Sequence, residues 1–201
     1  MIDVSRIRQL HQDTVARWHH QPVDNPYEGV WAIICQQHSF NFLLWHEEDI
    51  ARSRDVPDQK IAAVKRAIDR YNQQRNDWIE KVDDWLSAEL LELRVAARTG
   101  AQLNSETPGS IVDRLSILAL RIYHLQEQAE RPGIDTSLLE SITHKLAIAR
   151  LQQDDLGQCL SELLADIRCG EKRHRTYRQM KMYNDPQLNP YLQQSTRRRA
   201  G

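Results

Sequence analysis

An asparagine and an arginine stand where a helix of this sequence should carry apolar side chains. In the stretch "AIDRYNQQRNDWIEKVDDW", residues 67–85, apolar residues recur at steps of three and four, and Asn72 and Arg75 share their face. Guanidinium and amide groups are well suited to binding phosphate or carboxylate oxygens. The sequence therefore places a candidate anion-binding pair on the inner face of a helix.

Further polar residues fall on the core faces of the neighbouring helices. Asn41, Glu48 and Arg52 share one side of the preceding helix with its apolar residues. Asp113 and His124 lie on the second apolar face of the following helix. Because burying such groups without partners is unfavourable, we expect them to meet inside the protein, with the arginines paired to the acids.

Two interpretations of this polar interior are open. It either fixes the register of the helices, as buried polar groups do in some proteins, or it forms a ligand-binding or catalytic site. In the second interpretation, the ligand-binding candidates are Asn41, Arg52, Asn72 and Arg75, and the acid–base candidates are Glu48, Asp113 and His124.

No metal site is predicted from the sequence. The segment "LWHEED", residues 44–49, offers several ligand types, but adjacent residues of a helix point in different directions, so at most two of them converge. The paired Glu-x-x-His motifs of di-iron bundles are missing. Glu80 and Asp83 have the carboxylate spacing of all-α nucleotide pyrophosphatases, but the Glu-Glu-x-x-Glu element is missing because Ala51 follows Glu47 and Glu48. We therefore expect these charges to be solvated.

Long amphipathic helices must position all of these residues. The pattern predicts an all-α fold, an up-and-down bundle of about five long helices with an extended basic C-terminal tail. The helices are expected from about Asp3 to His20, from a cap at Asp24 or Asn25 to Arg54, from a cap at Asp55 to Thr99, from a cap at Thr107 to Glu130, and from Ser137 to Cys169.

Composition and charge narrow the class of protein. Of 201 residues, 40% are hydrophobic and 27% charged, and the net charge is −1, so no overall field favours nucleic acid. Residues 170–201 carry eight Lys and Arg residues against two acids. We therefore divide the chain into a helical bundle, 1–170, and a basic extension, 171–201, that packs partly on the bundle.

The cysteines and the distribution of apolar residues predict the cellular location. Cys35, Cys159 and Cys169 form no pair or zinc motif and are expected to be reduced and mostly buried. The N-terminus has no apolar signal-peptide core, and no apolar run approaches the ~20 residues that a membrane span needs. A cytoplasmic protein with no membrane span is expected.

Several stretches together resemble a bacterial family described as a domain of unknown function, number four-two-five-four. They are "NFLLWHEEDIARSRDVPD", "IAAVKRAIDRYNQQRNDWIEKVDDWL", "ETPGSIVDRLSILALRIYHLQEQAER" and "YRQMKMYNDPQLNPYL". The resemblance implies cytosolic all-α proteins, often encoded near glycosyltransferases of envelope polysaccharide synthesis. It supplies no catalytic residues to carry over, although the family's pattern coincides with the polar positions named above.

Two functions follow as expectations. The first is an interaction or scaffold protein that docks a glycosyltransferase or self-associates, which the resemblance and the long helices favour. The alternative is binding or processing of a phosphorylated small molecule, such as a nucleotide sugar, in a polar cavity of the bundle. Whether the chain is an enzyme, and which cofactor it would use, the sequence leaves open.

Overall fold

Five long α-helices make up most of the residues that this computed structural model describes, which are 2–180 and 185–193. The helices are α1 (Val4–Trp18), α2 (Gly29–Arg52), α3 (Asp58–Glu92), α4 (Pro108–Ala129) and α5 (Thr136–Arg168). Two short strands, β1 (Gln102–Leu103) and β2 (Lys172–Arg173), pair in parallel. The predicted all-α, up-and-down bundle is confirmed, and the strand pair is an addition that the sequence did not indicate.

Helix α4 lies at the centre of the bundle and contacts each of the other four helices. Its apolar residues Leu115 and Leu120 are fully buried, together with Ile7 of α1, Ile34 of α2 and Leu160 of α5. The two apolar faces of α4 explain this position, because a helix that is apolar on two sides needs partners on both. Polar residues of α4 can therefore reach several helices at once.

Local cap chemistry places the start of α4 where the sequence predicted it. The Thr107 hydroxyl accepts a hydrogen bond from the Ser110 amide at 3.2 Å, and Pro108 occupies the first turn. At α5 the predicted cap is wrong by two residues: the Asp135 carboxylate, not Ser137, accepts the bonds from the amides of Ser137 and Leu138.

Two other helix ends differ from the prediction. Helix α2 begins at Gly29 (φ 57°) rather than next to Pro26, because the Asn25 side chain turns instead to the carbonyl of Ala32, at 2.8 Å. Helix α3 begins at Asp58, with Pro57 rather than Asp55 as its cap.

Helix α3 is also shorter than predicted, with 35 residues rather than about 40. It ends at Glu92 because Arg94 adopts a left-handed backbone (φ 55°), and the chain then forms a loop instead of continuing to Thr99. The Arg98 amide of this loop donates to the carbonyl of Gly170 at 2.9 Å. The loop is thus fixed to the end of α5.

The segment that follows α5 runs along the acidic face of α3. Gly170 reverses the chain with φ 75°, and the carbonyl oxygen of Ala96 would lie only 2.7 Å from a Cβ at that position. Beyond it, Arg178 forms ion pairs with Glu80 at 3.0 Å and Asp84 at 2.9 Å. Residues 181–184 and 194–201 of the predicted basic extension lie outside the described residues.

The cysteines are less buried than the sequence suggested. Cys35 is buried, whereas Cys159 and Cys169 are exposed, because these two lie on the outer side of α5 and at its end. In the ranges described, no helix combines the length and apolar character that crossing a membrane requires.

Candidate functional site

The carboxylate of Asp113 joins three helices at the centre of the bundle. Its Oδ1 accepts hydrogen bonds from Gln37 at 2.6 Å and Asn41 at 2.9 Å, both on α2, and from Nε of Arg75 on α3 at 2.7 Å. A second bond runs from Nη2 of Arg75 to Oδ2, so the arginine binds the carboxylate with two parallel contacts. Asp113 is 4% exposed, and its bonds with Gln37 and Asn41 are buried, whereas those with Arg75 are partly buried.

The series of hydrogen-bonded side chains continues from Asp113 towards α1. Asn41 also donates to the hydroxyl of Ser116 at 2.8 Å, and Nδ1 of His38 lies 2.6 Å from the same oxygen. The ring of His38 packs on that of His11, with centroids 4.4 Å apart. We refer to the six residues Gln37, His38, Asn41, Arg75, Asp113 and Ser116 as the Asp113 network.

Burial determines the charge states within and beside the network. The bonds to Asp113 raise the pKa of Arg75, so this guanidinium keeps its charge. Burial lowers the pKa of His38 to about 3 and holds the pKa of His11 well below its ordinary value, with the neighbouring His38 adding to the effect at His11. Both histidines are therefore neutral at physiological pH.

A groove of about 400 Å³, which we call the polar groove, lies above the network between α2, α3 and α4, and Leu44, Ile117 and Leu120 form the apolar part of its lining. Arg75 and Asn72 of α3 line it, together with Asn41, Glu48 and Arg52 of α2. Asp49 and Trp45 complete its polar and aromatic lining. The groove thus gathers all four predicted ligand-binding residues and one of the three acid–base candidates.

Arg52 and Glu48 lie at the rim of the groove and not in the interior. The Arg52 guanidinium pairs with Glu48 at 3.1 Å and with Asp49 at 3.8 Å, and 68% of its side-chain surface is exposed. The helical projection that placed Arg52 on the core side of α2 is therefore wrong, because Arg52 is the last residue of α2 and extends beyond the packed part of the bundle. Arg52 is accessible to a ligand.

His124 lies away from the groove, in a cluster with two other histidines. His19 caps the end of α1, His46 lies on α2 and His124 on α4, and one ligand nitrogen of each lies within 4.8 Å of the others. We refer to these three residues as the histidine cluster. Trp45 connects the two regions, because it lines the groove and its ring stacks on His124 with centroids 4.7 Å apart and an angle of 8°.

Hydrogen bonds fix the protonated nitrogen in two rings of the cluster. Nδ1 of His19 lies 2.7 Å from the Val15 carbonyl oxygen, and Nδ1 of His124 lies 3.4 Å from a carboxylate oxygen of Glu127. Carbonyl and carboxylate oxygens only accept hydrogen bonds, so Nδ1 carries the proton in both rings and Nε2 keeps its lone pair. Both Nε2 atoms are buried and have no hydrogen-bond partner.

Burial also lowers the pKa of two members of the cluster. It lowers the pKa of His46, and the neighbouring His19 and His124 act in the same direction. It lowers the pKa of His124 as well, although the hydrogen bond to Glu127 opposes the shift. His46 and His124 are therefore neutral imidazoles at neutral pH.

The structure separates the predicted residues into two places. Asn41, Arg75 and Asp113 meet in the network, and Asn72, Glu48 and Arg52 border the groove above it, whereas His124 belongs to the histidine cluster. Sequence reasoning missed Gln37 and His38. The i, i+4 spacing of Gln37 and Asn41 was the available signal, since it places both amides on one face of α2.

The fold and these sites define an all-α bundle whose central helix holds a buried acid–arginine network beneath an open polar groove. The chain belongs to the family described as proteins of unknown function, DUF4254, whose family model matches residues 31–176. The family predicted from the sequence is thus confirmed. The network and the groove lie within the matched residues, whereas His11 and His19 precede them. No curated protein and no solved structure matches the chain.

Proposed function

We propose that the polar groove binds a phosphorylated small molecule, such as a nucleotide sugar. The observation that carries this proposal is the position of Arg75 at the base of the groove. A guanidinium has five N–H donors, and the contacts of Arg75 with Asp113 engage only Nε and Nη2. The other donors of a permanently charged, oriented arginine remain for an anion that enters the groove.

The other lining residues suit different parts of such a ligand. Arg52 supplies a second, accessible cation at the rim, and two arginines are favourable for a diphosphate. Glu48 and Asp49 offer acceptors for sugar hydroxyl groups. Trp45 adds an aromatic surface, and aromatic side chains are common where nucleobases or sugar rings bind.

The arrangement supports binding more directly than catalysis. Asp113 already accepts four hydrogen bonds, so it orients Arg75 rather than exchanging protons. His124 does not line the groove. Glu48 is the acid–base candidate that a groove ligand would reach, and a chemical step would therefore depend on Glu48.

A second cleft of about 310 Å³, between α1, α4 and α5, is a weaker candidate for this ligand. Two arginines, Arg8 and Arg150, line it, and Arg8 is paired with Asp154 at 2.5 Å and also donates to Gln153. No residue of the Asp113 network lines this cleft. The polar groove therefore remains the preferred site.

The test is a binding screen of nucleoside diphosphate sugars against the full chain by thermal shift and calorimetry. Arg52→Met removes the accessible cation without touching the buried network, and we expect it to weaken binding about 10- to 100-fold, as for the loss of a charged hydrogen bond. Arg66→Met is the matched control, since Arg66 is exposed and lies nine residues before Arg75, on the opposite face of α3. A screen without any ligand, or equal losses in both variants, would contradict the proposal.

A second candidate function is an interaction role, for which the resemblance suggests a glycosyltransferase as partner. Exposed apolar side chains on α5 favour it: Leu151 is 61% exposed, and Ile148 and Leu138 are exposed as well. Affinity capture from the native host with wild-type protein and with Ile148→Lys plus Leu151→Lys tests this role. A stoichiometric partner that the double variant fails to capture supports it, and identical captures argue against it.

A further inference from the structure

We propose that His19, His46 and His124 bind a divalent transition-metal ion, with Zn²⁺ as the best fit. The residues come from the end of α1, from α2 and from α4, and their ligand nitrogens already lie within 4.8 Å of one another. This site is separate from the ligand proposed for the groove, and nothing in its argument depends on that ligand.

The two unpartnered Nε2 atoms are the main argument. Buried polar atoms in proteins nearly always have a partner, yet Nε2 of His19 and Nε2 of His124 have none. Both atoms carry a lone pair, because Nδ1 of each ring holds the proton. A cation between the rings would satisfy both atoms at once.

The hydrogen bonds behind the rings are those of a metal site. Metal-binding histidines almost always donate their other ring N–H to a carbonyl or a carboxylate, which fixes the tautomer and the ring orientation. His19 donates to the Val15 carbonyl and His124 to the Glu127 carboxylate. The site therefore contains the groups that orient two of the rings as well as the proposed metal ligands.

The chemistry of the donors selects the class of metal. Imidazole nitrogens suit Zn²⁺ and neighbouring transition metals, whereas Mg²⁺ and Ca²⁺ prefer oxygen ligands. In a tetrahedral zinc site, with Zn–N bonds of about 2.0–2.1 Å, ligand nitrogens lie about 3.3 Å apart. The rings must therefore close by at most about 1.5 Å, which rotation about the side-chain bonds can supply.

The surroundings would strengthen the site and leave one position open. The rings of Trp45, Tyr123 and Phe42 pack against the cluster, with Tyr123 stacked on His19 at 4.2 Å between centroids. This aromatic shell limits the contact of the cluster with bulk water and lowers the local dielectric, which favours metal–nitrogen bonds. Three protein ligands leave the fourth tetrahedral position for a water molecule or another electron-pair donor.

The first measurement is zinc binding to the wild-type full chain, freed of any purification tag and treated with a chelator. We expect calorimetry to show one equivalent of Zn²⁺ bound at micromolar concentration, and Co²⁺ to give the visible absorption of a four-coordinate complex. Long-range ¹H–¹⁵N spectra should show zinc-induced shifts confined to three of the eight histidines. This spectrum tests the proposal without any variant. Absence of binding, or shifts at other histidines, would overturn it.

Variants with a matched control locate the ligands. His46→Gln removes a proposed ligand and should weaken zinc binding by more than about 100-fold. Glu127→Gln removes only the carboxylate that orients the His124 ring, and it should weaken zinc binding about tenfold. His144→Gln is the control, because His144 is an exposed histidine of α5 outside the cluster. Circular dichroism establishes that each variant is folded. Equal affinity in His46→Gln and wild-type protein would refute the assignment.

Discussion

The fully buried histidine of α1 permits a quantitative test of how this bundle responds to pH. His11 has no accessible surface, and neither of its ring nitrogens has a hydrogen-bond partner. Leucine has a similar volume and needs no partner. His11→Leu should therefore stabilise the protein, a reversal of the usual effect of a substitution in a packed core.

The size of the effect has two parts. A buried donor without a partner costs about 1–3 kcal/mol at any pH, and leucine removes that cost. The second part depends on pH, because burial holds the pKa of His11 well below its ordinary value. The unfolded chain then binds a proton at about pH 6.5 that the folded chain does not, so stability falls as the pH drops below that value.

For one imidazole that stays neutral in the folded state, the free energy of unfolding falls by about 2 kcal/mol between about pH 7.5 and pH 5. His38 contributes a similar loss, because its folded pKa is about 3. We therefore expect His11→Leu to gain about 1–3 kcal/mol over the wild type near pH 7.5, and about 2 kcal/mol more near pH 5.

Urea unfolding at both pH values, followed by helical circular dichroism, measures these differences. His144→Leu makes the same substitution at an exposed histidine of α5, and it should leave the pH dependence of the wild type unchanged. The reasoning fails if His11→Leu loses as much stability between the two pH values as the wild type does. A lower stability of this variant at both pH values would show that His11 has a polar partner, such as a buried water molecule.

Three further substitutions test the contacts between helices. Asp113→Asn removes the charge that pairs with Arg75, and we expect the free energy of unfolding in urea to fall by about 3 kcal/mol. This is the lower end for a broken buried pair, because the Arg75 side chain is partly exposed. Gly109→Ala places a Cβ 2.5 Å from the carbonyl oxygen of Ile79, so thermal unfolding should show a loss of about 1–3 kcal/mol. Glu80→Gln weakens the 2.8 Å bond from the Gln179 amide, which should exchange its hydrogen faster while global stability is unchanged.

Sequence reasoning succeeded where the determining interactions are local. The start of α4 depends on a threonine hydroxyl and a proline within a few residues, and both signals are visible in the sequence. The end of α3 could not be predicted in this way, because no proline or glycine marks it. There, the left-handed backbone of Arg94 and the bond from Arg98 to Gly170 depend on a segment about 75 residues further along the chain.

The same distinction applies to the sites. The contact of Arg75 with Asp113 was one of the pairings anticipated between the arginines and the acids, because helical periodicity shows that both residues interrupt apolar faces and need partners. The histidine cluster was not anticipated, because His19, His46 and His124 lie on three helices and form no recognisable spacing. Only the packing of α1 and α2 around α4 brings them together.

The four-bond arrangement around Asp113 also limits how this sequence can change over evolutionary time. Replacing Asp113 alone would leave the amides of Gln37 and Asn41 and the guanidinium of Arg75 without their shared acceptor. Replacing one of these donors alone with an apolar side chain would leave the buried carboxylate of Asp113 with one hydrogen-bonding residue fewer. Neutral drift at these four positions is therefore coupled: homologues are expected to keep the whole set or to have exchanged it together for apolar side chains, with few viable intermediates between the two states.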